Sequence, residues 1–174
     1  WEDRKALEAL TNKLVTGMSY AFGQYFDEAV DTLKCLGIRY CRTVGNTNGY
    51  DLPTNFLTWH PTCHHNDQII ERADHFLNTP DFMTMPLFYI WGHSFEFERE
   101  QTWDIIEAFC KKVAFKDEVW YATNGEIEAY ITAMRGLQFN LAHTMVYNPS
   151  STPVWFNYNE KLYVAEPGKT ISLK

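Results

Sequence analysis

Apolar residues recur every three or four positions in five segments of the chain, and this spacing predicts amphipathic helices. The segments are 2–14, 27–36, 67–77, 99–113 and a helix that begins near Asn124, with Asp67 and Asn124 as predicted N-caps. Short apolar runs between them are interpreted as strands at Val15–Tyr20, Ile38–Val44, Leu87–Trp91 and Glu118–Ala122. This alternation predicts an α/β fold in which helices pack on a mostly parallel sheet.

The last part of the chain has a different pattern. Apolar runs at 145–147, 154–156, 162–164 and 171–173 are separated by turn-forming pairs such as Asn159-Glu160 and Pro167-Gly168. Short strands joined by such turns predict a small antiparallel β extension. We therefore divide the chain into an α/β portion, 1–138, and a β-strand extension, 139–174, packed on it.

The amino-acid composition excludes some classes of function. Of the 174 residues, 45% are hydrophobic and 16% aromatic, which predicts a folded chain with a real core. The net charge of −7 and the lack of clustered Lys and Arg speak against a nucleic-acid surface. No apolar run is long enough to span a membrane. The four cysteines form no CxxC pair, and we expect them to be free thiols.

The segment from Pro86 to Glu98, PLFYIWGHSFEFE, brings a titratable side chain to the end of a predicted strand. The apolar run stops at Gly92, and His93 follows at once. In α/β folds, ligands bind and catalytic groups lie where strands end. His93 is therefore a catalytic candidate or, alternatively, an ordinary hydrogen-bonded histidine at a strand–loop junction.

A second concentration of reactive side chains comprises His60, Cys63, His64 and His65. Histidine and cysteine are zinc ligands, yet adjacent His64 and His65 do not easily reach one ion, and no further ligand pair follows at zinc-finger spacing. Two interpretations stay open: a metal site that uses His60, His64 and His65, or a loop whose histidines bond backbone or ligand. No GxSxG motif supports a serine triad, and Glu96 and Glu98 fit a solvated strand edge or helix start better than a glycosidase pair.

Several motifs carry a family resemblance. They are GMSYAFGQYFDEAVDTLKCLGIRYCRTV, TNGYDLPTNFLTWHPTCHH, and FYIWGHSFEFE with WYATNGEIEAY after it. Together they resemble polysaccharide deacetylases of the NodB-homology class, carbohydrate esterase family 4 and its relatives, in the branch that carries a WGHS motif. The resemblance covers most of the chain up to the β extension.

The resemblance implies a partial or deformed (β/α) barrel that hydrolyses N-acetyl, or O-acetyl, groups on an amino sugar of a cell-wall or exopolysaccharide. It implies that His93 is the general acid for the departing amine, a role that suits a histidine near neutral pH. The expected cofactor is a divalent metal, zinc or similar, and the expected partner is a carbohydrate. The residues expected to bind that carbohydrate are Tyr20, Arg42, Trp59 and Trp91.

The chain departs from the family pattern in two places. The family's Asp-Asp pair is absent, no His-x-x-x-His run precedes His60, and Ser19–Gly23 lacks the arginine of the corresponding motif, for which Arg42 is the candidate substitute. Because Trp1–Leu10 resembles the helix that follows those ligands, we expect a carboxyl-side portion of the domain. The alternatives are a non-catalytic carbohydrate-binding or structural module and a self-contained metal site of PTCHH with His93.

Two further expectations concern assembly and location. A shortened barrel would leave the strand Val15–Tyr20 at an open edge, and such edges favour association, so a homodimer is expected. The family pattern implies the cell envelope or the extracellular space, whereas the residues themselves do not distinguish these from the cytoplasm.

Overall fold

Helices and short strands alternate along the first part of the chain, as predicted, in a computed structural model that describes residues 1–80 and 85–174. The helices are α1 (Glu2–Thr11), α2 (Asp27–Cys35), α3 (Ile69–Leu77), α4 (Ser94–Glu100), α5 (Trp103–Val113) and α6 (Asn124–Arg135). The strands are β1 (Gly17–Ser19), β2 (Tyr40–Arg42), β3 (Cys63–His64), β4 (Ile90–Trp91), β5 (Gln138–Phe139), β6 (Met145–Tyr147), β7 (Val154–Tyr158), β8 (Lys161–Ala165) and β9 (Thr170–Ser172). Two 3₁₀ turns lie at Ala21–Gly23 and Phe56–Thr58.

The chain divides into two compact units, Trp1–Tyr121 and Ala122–Lys174, which we call the first and second units. The boundary interpreted from sequence lay after residue 138. Helix α6 therefore groups with the antiparallel strands that follow it rather than with the α/β portion before it.

All strands of the first unit are parallel to one another where they pair. β1 pairs with β2, and β3 pairs with β4 with His64 opposite Trp91. The extended segment 59–64 connects the two pairs, because Trp59 forms a parallel bridge with Arg42 at its start and β3 lies at its end. Since parallel strands share an orientation, β2, β3 and β4 all end at one edge, which we call the rim. The described residues form an α/β arrangement without a closed barrel.

The second unit confirms the predicted antiparallel strands. β5, β6 and β9 form a three-stranded sheet, and β7 and β8 form a hairpin. The hairpin turns at Asn159 and Glu160, which both have positive φ angles of 47° and 60°. Two successive left-handed residues match the twist of a tight hairpin, and asparagine adopts that conformation readily.

Several predicted boundaries are wrong. Residues 118–122 form no strand: Tyr121 turns back so that its hydroxyl donates to Val113 O and accepts from Lys116 N. The single helix predicted over 99–113 is two helices, because Gln101 is left-handed (φ 54°) and ends α4.

The two predicted N-caps are each displaced by one residue. The residue that precedes α3 is Gln68, not Asp67. The cap of α6 is Thr123, not Asn124: its hydroxyl accepts from Glu126 N, and its own N–H donates to the Glu126 carboxylate. This reciprocal pair is a capping box, which satisfies more backbone donors than an asparagine one position later could.

Each unit has its own apolar core. The buried hydrophobic residues of the first unit are Tyr20, Ile38, Cys41, Phe56, Leu57, Trp59, Cys63, Ile69 and Ala73, and those of the second are Ile131, Ala133, Val146, Val154, Ala165 and Leu173. All four cysteines are free thiols, as predicted, with Cys41 and Cys63 buried and the other two exposed. Across residues 1–80 and 85–174, no helix has the length and apolarity that a membrane crossing requires.

Candidate functional site

Three histidines surround one carboxylate oxygen of Glu96 at the rim. His65 Nε2 lies 2.8 Å from Glu96 Oε2, His64 Nε2 lies 3.2 Å from it, and His93 Nδ1 lies 3.4 Å from it. We call these four residues the histidine–carboxylate cluster. Within the described residues of the first unit, the cluster brings together three histidines that the sequence identified as candidate site residues.

Two strands and a short helix hold the cluster in place. His64 belongs to β3, and the His65 backbone N–H donates to Trp91 O across the sheet at 2.9 Å. His93 follows β4 directly, and α4 begins at Ser94, so Glu96 lies in the helix's first turn. The Glu96 carboxylate accepts from His93 N at 2.9 Å, and Glu96 N donates to His93 O at 3.1 Å. The carboxylate is thus fixed by the backbone that also carries His93.

Gly92 allows the strands to approach closely enough for the cluster to form. A Cβ atom at this position would lie 1.8 Å from His65 Cδ2, well inside van der Waals contact. The Gly92 φ angle of 157° is also one that residues with a side chain rarely adopt. The glycine of the WGHS motif therefore makes room for the imidazole of His65.

The electrostatics of the cluster favour an ionised carboxylate. The His93 N–H bond, followed by the His65 side chain and the nearby His64, lowers the pKa of Glu96 to about 2, against the opposing effect of burial. The guanidinium of Arg99 lies 3.4 Å from the other carboxylate oxygen, Oε1. Burial, together with the neighbouring His65, lowers the pKa of His64 despite the attraction of Glu96. A near-neutral solution therefore leaves Glu96 charged and His64 with a lone pair.

His65 is the most enclosed member of the cluster. Its side chain is 4% exposed, and its ring packs 4.4 Å from that of Phe97, centroid to centroid. His65 Nδ1 is buried with no hydrogen-bond partner. One nitrogen of this imidazole is therefore committed to Glu96, while the other lacks the partner that buried polar atoms usually have.

Trp91 and Arg42, both predicted to contact carbohydrate, meet beside the cluster. The Arg42 guanidinium carbon lies 4.9 Å from the centroid of the Trp91 ring, which is a cation–π distance. Trp91 Nε1 donates to Asn46 Oδ1 at 3.0 Å, and the rings of Trp91 and His64 meet edge to face at 4.7 Å. The rim thus has a half-buried indole with a fixed orientation next to the imidazoles.

The other predicted site residues lie elsewhere. Trp59 is 1% exposed, and Tyr20 is 8% exposed with its hydroxyl bonded to Leu57 O at 2.9 Å. Both rings pack in the core of the first unit, and neither has a free face for a sugar. His60 is exposed and contacts the hydroxyl of Thr43, away from the other histidines.

The set of side chains that can hold a metal differs from the one predicted. His64, His65 and Glu96 bring one ligand atom each to within 4.8 Å of one another, whereas His60 does not join them. Adjacent His64 and His65, which were not expected to reach one ion easily, do converge, because β3 ends between them and both rings turn toward Glu96. Glu96 was missed as a site residue. The available signal was its position three residues after His93, where a glutamate bonds the backbone of the preceding cap.

No protein-family model, curated protein or solved structure matches the chain.

Proposed function

We propose that this chain is the carboxyl-side part of a metal-dependent polysaccharide deacetylase that hydrolyses N-acetyl, or O-acetyl, groups on an amino sugar. The parallel strands of the first unit would then be part of a deformed (β/α) barrel. The proposal is supported by the motifs that resemble the NodB-homology family and by the position of Arg42, Trp91 and His93 at the rim. Arg42 ends β2, Trp91 ends β4, and His93 follows β4.

The observation that carries the proposal is the pairing of His93 with Glu96. The His93 side chain is 54% exposed, so that substrate can reach it, while its Nδ1 lies 3.4 Å from an ionised carboxylate. A carboxylate in that position orients an imidazole, as in other acid–base pairs. His93 is thus arranged to keep one nitrogen toward Glu96 and to present the other to a substrate.

The proposed chemistry is acyl transfer to water. Water adds to the acetyl carbonyl, and the tetrahedral intermediate collapses as the C–N bond breaks. The departing nitrogen takes a proton from His93, which yields acetate and a free amine. Proton transfer of this kind accelerates a reaction by about 10²- to 10⁴-fold.

Arg42 and Trp91 are the proposed contacts for the sugar. An indole presents an apolar face that suits the C–H face of a pyranose, and Arg42 offers donors for hydroxyl or carbonyl oxygens. In this family a divalent metal polarises the carbonyl and activates the attacking water. The Asp-Asp pair that helps to hold it there is not in this sequence, and the His-x-x-x-His spacing of His60 and His64 does not bring both side chains into the cluster.

The test is acetate release from N-acetylated chitooligosaccharides by the purified chain supplied with zinc. His93→Ala should lower kcat by at least about 100-fold and change KM little, because a general acid acts in the transition state. His75→Ala removes another exposed histidine, on α3, and should retain full activity. Equal rates for wild type and His93→Ala would refute the role of His93.

A non-catalytic carbohydrate-binding module is the second candidate. The observation that favours it is the absence from this sequence of the Asp-Asp pair that the resembling deacetylases use as a metal ligand. Binding of chitooligosaccharide without acetate release, lost in Trp91→Ala, would support this candidate over the first. Trp120→Ala is the control, since it removes a tryptophan that is 57% exposed and lies outside the rim.

We also propose self-association through β1. Among the described residues β1 pairs with β2 and with no other strand, and Met18 on it is 41% exposed. An unpaired strand edge is a template for a second chain. Sedimentation should detect a dimer that Met18→Lys converts to monomer, and a monomeric wild type at all concentrations would refute it.

A further inference from the structure

We propose that His64, His65 and Glu96 form a zinc-type metal site. These residues are not the ligands of the deacetylase family, and the site does not depend on the proposed function. Zinc in proteins takes imidazole nitrogen and carboxylate oxygen, and two histidines with one glutamate are a known set of three protein ligands. His64 Nε2, His65 Nε2 and Glu96 Oε2 supply that set within 4.8 Å.

The two distances from Glu96 to the imidazoles need only small changes to accommodate an ion. Ligand atoms bonded tetrahedrally at about 2.0–2.2 Å lie about 3.4 Å apart. Glu96 Oε2 lies 3.2 Å from His64 Nε2 and 2.8 Å from His65 Nε2. An ion would therefore separate the carboxylate from the imidazoles by a few tenths of an ångström, which side-chain rotation can supply.

Glu96 Oε2 has more potential donors around it than it can accept. A carboxylate oxygen has about two lone-pair sites. Oε2 faces the His93 N–H at 2.9 Å and the three imidazoles of the cluster, whereas Oε1 lies 3.4 Å from Arg99. At least one imidazole nitrogen therefore gains nothing from the carboxylate. A cation between the carboxylate and His64 and His65 would use a lone pair of each.

The site is held by backbone rather than by flexible loops. His64 is part of β3, His65 is hydrogen-bonded to β4, and Glu96 is bonded to the backbone of His93. Gly92 and Phe97 pack against the His65 ring. Ligands held in position before binding lose little conformational freedom, which favours affinity.

The three ligands differ in burial, and the more exposed ones leave the site accessible from solvent. The side chains of His65, Glu96 and His64 are 4%, 13% and 20% exposed. Three protein ligands leave one tetrahedral position, and zinc sites of this kind fill it with water or substrate. The site is therefore of the open kind rather than the closed kind with four protein ligands.

Two features limit the affinity. When a neutral imidazole binds an ion through Nε2, its proton lies on Nδ1. His65 Nδ1 has no partner, and His64 Nδ1 would lose the 3.3 Å bond that it accepts from Asn66 N. Ligating histidines normally donate this N–H, and loss of such a partner costs about 10- to 100-fold in affinity. We therefore expect binding weaker than in zinc sites whose histidines have both partners.

The experiment uses the whole chain, freed of metal with a chelator and titrated with Zn²⁺ by calorimetry. The expected result is one saturable site per chain. Co²⁺ should bind in competition with Zn²⁺ and show the visible absorption of a low-symmetry, four- or five-coordinate ion. No saturable binding, or a Co²⁺ spectrum of the six-coordinate aqueous ion, would overturn the proposal.

His64→Ala tests the ligand set, and His60→Ala is its matched control from the same segment. Removal of a ligand should weaken Zn²⁺ binding by more than about 100-fold, beyond the range found for outer partners. His60→Ala should bind as wild type does. Equal affinities for the two variants would overturn the proposal.

Glu96→Gln provides an independent test that keeps the side chain's shape. Circular dichroism establishes that each variant is folded, and binding retained in a folded Glu96→Gln would also overturn the site. Because these measurements involve no sugar, zinc binding without acetate release would refute only the proposed function. Acetate release with wild-type zinc affinity in His64→Ala would refute only this site.

Discussion

Each unit contains a group of buried polar atoms: the Asn148 side chain in the second unit and the histidine–carboxylate cluster in the first. The two groups differ in whether those atoms have hydrogen-bond partners. In the second unit, Asn148 is 0% exposed, and its amide donates to Thr152 O at 2.8 Å and Ala165 O at 2.7 Å. Its side-chain oxygen accepts from the N–H and hydroxyl of Ser150 at 2.9 Å and 2.7 Å. Every polar atom of this side chain is thus bonded within the unit.

In the histidine–carboxylate cluster of the first unit, by contrast, hydrogen-bond donors and acceptors do not match in number. Glu96 Oε2 has surplus donors, and His65 Nδ1 has no partner. A fully bonded buried side chain fixes one local structure and gains nothing from a ligand. Surplus and unpaired groups are the kind of imperfection that functional sites retain. From this difference we expect the Asn148 side chain to serve folding and the cluster to serve binding.

The largest expected effect is loss of the Asn148 side chain. Asn148→Ala would remove all four hydrogen bonds of this buried side chain, and one such bond contributes about 1 kcal/mol. The free energy of unfolding should fall by about 4 kcal/mol, measured by urea denaturation. Binding of zinc should not change in the folded fraction, because the first unit contains the proposed ligands.

Asn140→Ala is the matched control in the same unit. Asn140 makes three comparable bonds, to Thr144 N, Thr144 Oγ1 and Met145 N, in a solvent-exposed turn. Water can replace these bonds, so the cost should be about 1 kcal/mol. Equal costs for the two variants would show that burial of Asn148 is not what makes it important.

Gly92→Ala should have the next largest effect and should act on the histidine–carboxylate cluster. The added methyl group would collide with the His65 ring, and overpacking of this kind costs about 1–3 kcal/mol. We expect a loss of about 2 kcal/mol in urea denaturation together with loss of Zn²⁺ binding, because His65 must move. Gly92 and the cluster would be unrelated if the variant bound zinc with wild-type affinity.

Gly168→Ala separates collision from backbone strain. Gly168 has a φ angle of 67°, and a Cβ there would have no heavy atom within 4 Å. This variant should therefore cost only the conformational strain, about 1 kcal/mol. A cost equal to that of Gly92→Ala would attribute both effects to backbone conformation.

Much of the fold follows from the sequence because local patterns determine it. The helical spacing of apolar residues and the Asn159-Glu160 hairpin depend on residues that are close together in the sequence. The parallel order of the first strands follows from the alternation of strands and helices along the chain. The break of the helix at Gln101 was not predictable in this way, since glutamine carries no signal for a left-handed residue. Residues 118–122 look like a strand by composition but have no strand beside them.

The candidate site could be predicted only in part. His93 was identified because it follows a predicted strand, and ligands bind where the strands of a parallel sheet end, whereas Trp91 and Arg42 were identified through the family resemblance. The convergence of His64, His65 and Glu96 depends on the β3–β4 register and on a seven-residue helix, α4, neither of which the sequence specifies. Trp59 and Tyr20 were expected at the rim because an aromatic residue has the same sequence signal in a core as at a binding surface.

The smallest expected effect concerns the Cys41 thiol, a buried group of the first unit that can ionise. The Asn148 side chain, in contrast, has no group that ionises. Cys41 is 0% exposed, and burial raises the pKa of its thiol from 9.0 to about 11, against smaller lowering effects of Tyr20 and Arg42. Between these values the unfolded chain loses the proton and the folded chain keeps it. Stability is therefore unaffected below pH 9 and falls as the pH rises toward 11.

At pH 10 this linkage should remove about 1 kcal/mol of unfolding free energy relative to pH 8. Cys41→Ala should lose that part of the alkaline decline, even though the variant is less stable at every pH. Cys110→Ala removes an exposed thiol and should retain the decline. Parallel stability curves for wild type and Cys41→Ala from pH 8 to pH 10 would contradict the assignment. A smaller alkaline decline for Cys41→Ala than for wild type would instead mean that the first unit contains a buried polar group that is compatible with the folded state only while it is neutral.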